Sequence, residues 1–157
     1  MVAQVTPRDA GSRNAGPAIS LDDANRLRLV IARLQRRLRQ QANAGITPSQ
    51  LAVLSALARL GPSTPGELAA AEAVRPPSIT RIANALEESQ LVERVVVSDD
   101  RRSVRLRLTP KARRLLQSIR DQRTAWLADR FAEMTPAQIG DLQRGISALE
   151  QIVEGGR

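Results

Sequence analysis

Strict alternation of apolar and arginine residues in the middle of the chain most constrains what the sequence can fold into. The segment from Val104 to Leu108 reads VRLRL, directly after the run SDDRRS. Successive side chains of a strand point to opposite faces, so this pattern predicts a strand with one apolar face and one face of guanidinium groups. We expect the charged face of such a strand to lie against a polyanion.

Repeated capping signals locate the helices. A threonine, a proline at the first helical position and Gln or Glu at the third form a capping box, and such boxes begin at Thr47, Thr64 and Thr135. Ser20 with two following acids gives another start, and Thr109 with Pro110 gives one without the box acid. These signals predict helices from about Ser20 to Gln41, from Pro48 to Leu60, from Thr64 to about Ala73, and after Thr109 and Thr135.

The helix that opens at Pro76-Pro77 has two chemically distinct faces. One face carries apolar residues at helical spacing, namely Ile79, Ile82, Ala83 and Leu86. The other carries Pro77, Ser78, Thr80, Arg81 and Asn84. Small or forked hydrogen-bonding side chains of this kind reach base edges in a major groove, and the free amides at the start of the helix suit a phosphate. The alternative is a solvated amphipathic helix, but the Glu residues typical of such a face appear only at its end.

The segment after this helix predicts a hairpin that joins Leu91–Val97 to Val104–Leu108. A helix-turn-helix followed by such a hairpin is typical of a winged-helix DNA-binding domain. The acids at the hairpin tip have two explanations that stay open together. They supply turn chemistry, or Asp100 orients the guanidinium of Arg102 or Arg81 for a narrow minor groove. We predict DNA contacts from Thr64, Arg75, Pro77, Ser78, Thr80, Arg81, Asn84, Asp100, Arg101, Arg102 and Arg105.

The distribution of charge supports a nucleic-acid partner. The formal net charge is +8, and every cation except Lys111 is an arginine. From Arg101 to Arg114 there are seven cations and no acid, whereas acids outnumber cations after Phe131. A solvated surface would interleave the two signs, so this polarity favours phosphate binding.

Two long helices flank the central unit and carry heptad-like apolar seams. The first contains Leu27, Ile31 and Leu34, continued by Leu38, and the last contains Ile139, Leu142, Ile146 and Leu149, continued by Val153. Packing within one chain would explain either seam. Because both lie outside the central unit, we predict instead that they form a homodimer interface.

The composition excludes several functional classes. The chain has no cysteine and no histidine, so disulfides, thiolate chemistry and the usual zinc ligands are absent, and we expect no cofactor or metal. An enzyme would need an acid-base pair, but Asp121 and Asp129 lie among arginines without a nucleophile. No apolar run approaches the ~20 residues that span a bilayer. Residues 1–18 resemble a flexible tail rather than a signal peptide, and we expect a cytoplasmic protein.

The order of these elements resembles the MarR (multiple antibiotic resistance regulator) family of bacterial transcription factors. Asp100, any residue, Arg102, five residues and Leu108-Thr109 match that family's wing motif, and PPSITRIANAL resembles its recognition helix. Ala112 stands where the family usually has glycine, which leaves the bend into the following helix open.

The resemblance implies a mainly α fold with a small β-hairpin wing, and an obligate homodimer on a palindromic operator. It also implies that Pro77, Ser78, Thr80 and Arg81 lie in the major groove and that Asp100 and Arg102 lie at the wing tip. A ligand pocket is implied where the winged helix-turn-helix, called the lobe below, meets the dimerisation helices. We expect residues 1–18 to form the tail, 19–45 a dimerisation helix, 46–109 the winged helix-turn-helix and 110–157 the C-terminal dimerisation helices.

The functional prediction is a dimeric sequence-specific regulator, a repressor released by a small organic ligand. An anionic aromatic compound would suit an apolar pocket lined by arginines of the first helix. Two alternatives are an architectural winged-helix protein that responds to no ligand and a helical protein-interaction module. The ratio of specific to random DNA binding separates the architectural protein from the regulator.

Overall fold

The computed structural model describes residues 19–41, 45–96 and 104–155. Within these ranges the fold is mainly α with one antiparallel hairpin, as the sequence predicts. The chain divides into a unit that ends at Arg37 and a unit from Leu38 to Arg157. The elements are α1 (Leu21–Gln41), α2 (Pro48–Leu60), α3 (Pro65–Ala71), α4 (Pro76–Glu88), β1 (Val92–Val96), β2 (Val104–Leu108), α5 (Pro110–Ala132) and α6 (Pro136–Glu154).

The predicted capping signals all form. Reciprocal boxes close the starts of α2, α3 and α6, at Thr47, Thr64 and Thr135. The hydroxyl of Thr109 accepts a hydrogen bond from the Ala112 amide at the start of α5. Ser20 makes a similar reciprocal pair with Asp23, whose carboxylate accepts from the Ser20 amide and hydroxyl. These bonds satisfy amides that have no partner within the helix.

Helices α3 and α4 end in the same backbone motif. After α4, the Gln90 amide donates to the Glu87 carbonyl and the Leu91 amide donates to the Leu86 carbonyl. Ala73 and Val74 make the equivalent bonds after α3. This pattern is a Schellman motif, which needs a left-handed residue that is usually glycine. Here Ala73 (φ 52°) and Gln90 (φ 60°) occupy that position, so α3 ends before its predicted limit at Ala73.

The hairpin pairs β1 with β2 so that Val92 lies opposite Leu108 and Val96 opposite Val104. Leu106 and Leu108 are buried whereas Val104 is exposed, so the apolar face of β2 is buried at its end and exposed at its start. Ser63 adds a one-residue third strand, because its amide and carbonyl both bond to the backbone of Leu106. The sequence did not predict this bridge.

An aliphatic core holds α2, α3, α4 and the hairpin together. Its largest fully buried side chains are Leu54, Leu68, Ile79, Leu86, Leu106 and Val53. Helix α5 joins this core through Ala112 and Leu116. The side chain of Ala112 is fully buried inside a continuous α5, so alanine is accommodated at the position where the resemblance expects glycine.

The terminal helices bury no residue within the described chain. In α1, Leu27, Ile31 and Leu34 are exposed. In α6, Ile146 and Val153 are exposed, and Ile139, Leu142 and Leu149 are half-buried. None of the helices in the described ranges is long and apolar enough to cross a membrane.

Gln90→Gly should stabilise the protein by about 0.5–1 kcal/mol, because glycine adopts the left-handed conformation without the steric cost that a side chain incurs. Glu88→Gly, two residues earlier in the last turn of α4, is the matched control and should destabilise by about 1 kcal/mol. Urea unfolding at one protein concentration measures both. Equal destabilisation by the two glycines would contradict the assigned strain at Gln90.

Candidate nucleic-acid interface

Helix α4 presents the predicted polar face to solvent. Its inner residues Ile79, Ala83 and Leu86 are buried and Ile82 is half-buried. The N-cap residue Arg75 makes no side-chain cap. Pro76 and Pro77 have no N–H and the Ser78 amide donates to the Arg75 carbonyl, so the free amides expected for a phosphate at the start of α4 are not available there. The predicted contact residues Pro77, Ser78, Thr80, Arg81 and Asn84 are all exposed.

Asn84 is also tied to the hairpin. Arg94 of β1 donates from Nη2 to the Asn84 Oδ1 at 2.7 Å, and from Nε to the Glu87 Oε2 at 2.8 Å. The side-chain carbonyl of Asn84 therefore has an internal partner, and its NH₂ group is the part that can donate to a base. The sequence did not predict that Arg94 and Glu87 belong to this surface. The spacing of Asn84 and Glu87, which places them on one helix face, was the available signal.

Arg105 of β2 contacts the start of α3. Its Nη1 lies 3.0 Å from the Glu67 Oε2 and 3.0 Å from the Pro62 carbonyl oxygen. The same Glu67 oxygen accepts from the Thr64 amide at 2.7 Å, which completes the capping box. The Thr64 amide, aided by the nearby Arg105 guanidinium, holds the pKa of Glu67 below its ordinary value although desolvation opposes it. Glu67 thus stays charged at neutral pH and joins two elements.

Arg107 pairs with Glu93 directly across the hairpin, with Nε 2.9 Å from Oε1. Together with the Glu67 contact of Arg105, this pair corrects the expectation that the arginine face of β2 needs an external polyanion. Both arginines of the strand form ion pairs with carboxylates of the same lobe. Arg105 is half-buried by these contacts and Arg107 is exposed.

The remaining predicted contacts fall into two groups. Thr64 is half-buried as the N-cap of α3, and Arg75 is exposed just before α4. Neither Arg75 nor Arg81 forms an ion pair with any residue that the structure describes. The wing-tip residues Asp100, Arg101 and Arg102, with Val97 at the predicted end of the first strand, lie outside the described residues.

A hollow of about 510 Å³ lies between the start of α2, the turn after α4 and the first turns of α5. Ile46, Leu91 and Leu115 give it an apolar lining, and Lys111 and Arg114 give it positive charge. Lys111 donates to the Ser89 carbonyl at 2.9 Å. The cations come from α5, whereas the sequence pointed to arginines of the first helix. The full lining is Gly45, Ile46, Ser89, Leu91, Lys111, Arg114, Leu115 and Ser118.

Comparison with known proteins agrees with this arrangement. The sequence model of the MarR family matches residues 46–104, from the start of α2 into β2. An HTH-type transcriptional regulator of Mycobacterium bovis is 33% identical over 132 residues, which cover 83% of this chain and 92% of the relative. The chain belongs to the MarR family. It is therefore a winged helix-turn-helix regulator of transcription that binds DNA, and not an enzyme.

Two further proteins resemble the chain over most of its length. A MarR family protein of Bacillus stearothermophilus has a solved structure with a TM-score of 0.70 and 28% identity, covering 85% of this chain and 94% of that one. The HTH-type transcriptional repressor MdtR of Bacillus subtilis is 29% identical over 110 residues, 70% of this chain and 71% of the relative. The similarity extends beyond the residues that the family model matches.

Proposed function

We propose that this MarR family member is a dimeric, sequence-specific repressor that a small organic anion releases from its operator. The observation that carries the proposal is the exposed polar face of α4, set on a buried apolar face and joined to an arginine-rich hairpin. A protein that reads chromosomal promoters works in the cytoplasm, which is where we place it.

Recognition divides between two grooves. Pro77, Ser78, Thr80 and Arg81 on α4 would contact base edges in the major groove, with the Asn84 NH₂ group beside them. Arg75 and Thr64 lie near the starts of α4 and α3, where they would position the lobe on phosphates. The hairpin tip, with Asp100, Arg101 and Arg102, would enter the minor groove, and Arg105 at its base would support it.

The apolar seams of α1 and α6, helices in which no residue is buried, support a homodimer. Leucine and isoleucine side chains at heptad spacing rarely stay in water along a whole helix, because burying each one contributes about 1.5–3 kcal/mol. A second copy would cover Leu27, Ile31 and Leu34 on α1 and Ile139, Leu142, Ile146 and Leu149 on α6. Two lobes held in this way would read two half-sites of a palindrome.

The hollow beside α5 supports release by an organic anion. Its apolar lining suits a hydrocarbon or aromatic body, and its two cations suit a carboxylate. A ligand there would contact both the DNA-binding lobe and α5, so it would shift the dimer toward one lobe arrangement. The name of the relative MdtR, a transcriptional repressor, supports the sign of regulation.

DNA recognition is tested with a duplex that the wild-type protein selects from a random pool. Arg81→Ala and Arg102→Ala should each weaken binding to that duplex by about tenfold, since an arginine contact to a base or a narrow groove contributes about 1–3 kcal/mol. Gel shift at fixed salt measures the loss. Arg144→Ala on α6 removes the same charge outside the lobe and should leave affinity unchanged.

Unchanged affinity in both lobe variants would contradict the assigned contacts. Equal affinity of the wild type for the selected duplex and for a mixed-sequence duplex would favour the architectural alternative over a specific regulator.

Dimerisation is tested at the exposed seam of α6. Ile146→Glu should convert the protein to a monomer, because a carboxylate in an apolar interface loses its hydration without a partner. Ser147→Glu introduces the same charge one residue further along and should leave a dimer. Light scattering after size exclusion gives the mass, and a dimeric Ile146→Glu variant would exclude this seam as the interface.

Ligand release is tested with benzoate as the probe anion. Benzoate should release the wild type from the selected duplex, and Arg114→Gln should require about tenfold more of it because a charge-assisted hydrogen bond is lost. Arg113→Gln, which removes the neighbouring charge outside the hollow, should behave as wild type. Equal response of the two variants, or release by neutral benzamide alone, would contradict an anion site here.

A further inference from the structure

The hairpin is attached to the helix-turn-helix by two side-chain links, one from each strand. Arg105 of β2 joins Glu67 of α3, and Arg94 of β1 joins Glu87 of α4. We name these two ion pairs the wing links. They connect residues that are 38 and 7 positions apart, so each link spans two elements rather than one turn.

Each wing link has two hydrogen bonds from a single guanidinium group. Arg105 donates to the Pro62 carbonyl as well as to Glu67, both at 3.0 Å. Arg94 donates to Asn84 as well as to Glu87, at 2.7 and 2.8 Å. Two acceptors on a planar fork define a direction as well as a distance. The links therefore set the orientation of the hairpin against both helices.

The third ion pair of the hairpin has a different reach. Glu93 and Arg107 lie opposite each other on β1 and β2, so their contact joins the two strands and no helix. It has the same chemistry and a similar exposure, with side chains 44% and 47% accessible against 41% and 43% for Glu87 and Arg94. This pair is a natural control for the wing links.

We propose that Glu67 and Glu87 are positioning residues for DNA recognition. They hold the wing at the distance from α4 at which α4 and the wing can enter neighbouring grooves together. The inference rests on the proposed function. An acid beside a DNA-binding face repels phosphates, so its removal should strengthen binding to any duplex. Removal of a positioning acid should instead weaken binding to the selected duplex, because the arginines that contact this duplex are then misplaced.

The test compares Glu67→Gln, Glu87→Gln and Glu93→Gln, each of which removes one negative charge from the lobe. Glutamine at position 67 keeps the capping box of α3, because Gln50 and Gln138 fill the same position in the boxes of α2 and α6. Affinity is measured by gel shift for the duplex selected by the wild type and for a mixed-sequence duplex. Thermal unfolding of all variants reports the fold.

Glu93→Gln should raise affinity for both duplexes about twofold and leave their ratio unchanged, as a general charge effect does. Glu67→Gln and Glu87→Gln should each lower the ratio of affinity for the selected duplex to affinity for the mixed-sequence duplex about threefold. The double variant should lower this ratio about tenfold. A threefold loss per link lies in the range that exposed ion pairs contribute. The reversed pair Glu87→Arg with Arg94→Glu restores the ion pair without the bond from Arg94 to Asn84, so it should give a higher ratio than Glu87→Arg alone, with melting temperatures close to wild type.

If Glu67→Gln and Glu87→Gln behave like Glu93→Gln while the wild type still discriminates between the duplexes, the inference is wrong and the proposed function stands. A reversed pair whose ratio is no higher than that of Glu87→Arg alone would equally contradict a positioning role for the link. If the wild type selects no duplex, the proposed function fails and the inference fails with it.

Discussion

The burial of Leu106 in strand β2 is the contact on which the DNA-binding lobe depends. Its side chain is 1% exposed among the aliphatic residues of α2, α3 and α4, and its backbone bonds to Ser63 in the loop between α2 and α3. Because strand residues alternate, placing Leu106 inward sets Arg105 and Arg107 on the opposite face. The position of one buried leucine therefore decides where the wing starts and which arginines face outward.

The arginines of the described part of the hairpin are held by the protein itself. Arg94, Arg105 and Arg107 each contact a glutamate of the same lobe, so the charge of the described hairpin is organised before any DNA arrives. Fixed side chains lose little conformational freedom on binding, which favours a defined geometry over maximal attraction. Under the proposed function, sequence choice would then depend on how accurately the lobe presents α4 and the wing tip together.

Local signals in the sequence predicted most of the fold, but they did not predict the side-chain contacts between residues far apart in the chain. Threonine caps, the two faces of α4 and the alternation in β2 depend on near neighbours, and each was confirmed. The left-handed Gln90 gave no signal because glycine usually occupies that position. The contact of Glu67 with Arg105 depends on the packing of α3 against the hairpin, which residues 38 apart cannot reveal. The wing-tip roles of Asp100 and Arg102 remain predictions.

Dimethyl sulfate footprinting of the wild-type protein on its selected duplex is the most direct test of the joint contact of α4 and the hairpin with DNA, because this reagent methylates guanine N7 in the major groove and adenine N3 in the minor groove. The expected result is two symmetric protected regions whose centres lie about one helical turn apart, each with major-groove protection flanked by minor-groove protection from a wing. Uniform protection along the duplex, or major-groove protection without any minor-groove signal beside it, would contradict the joint reading of two grooves by α4 and the hairpin.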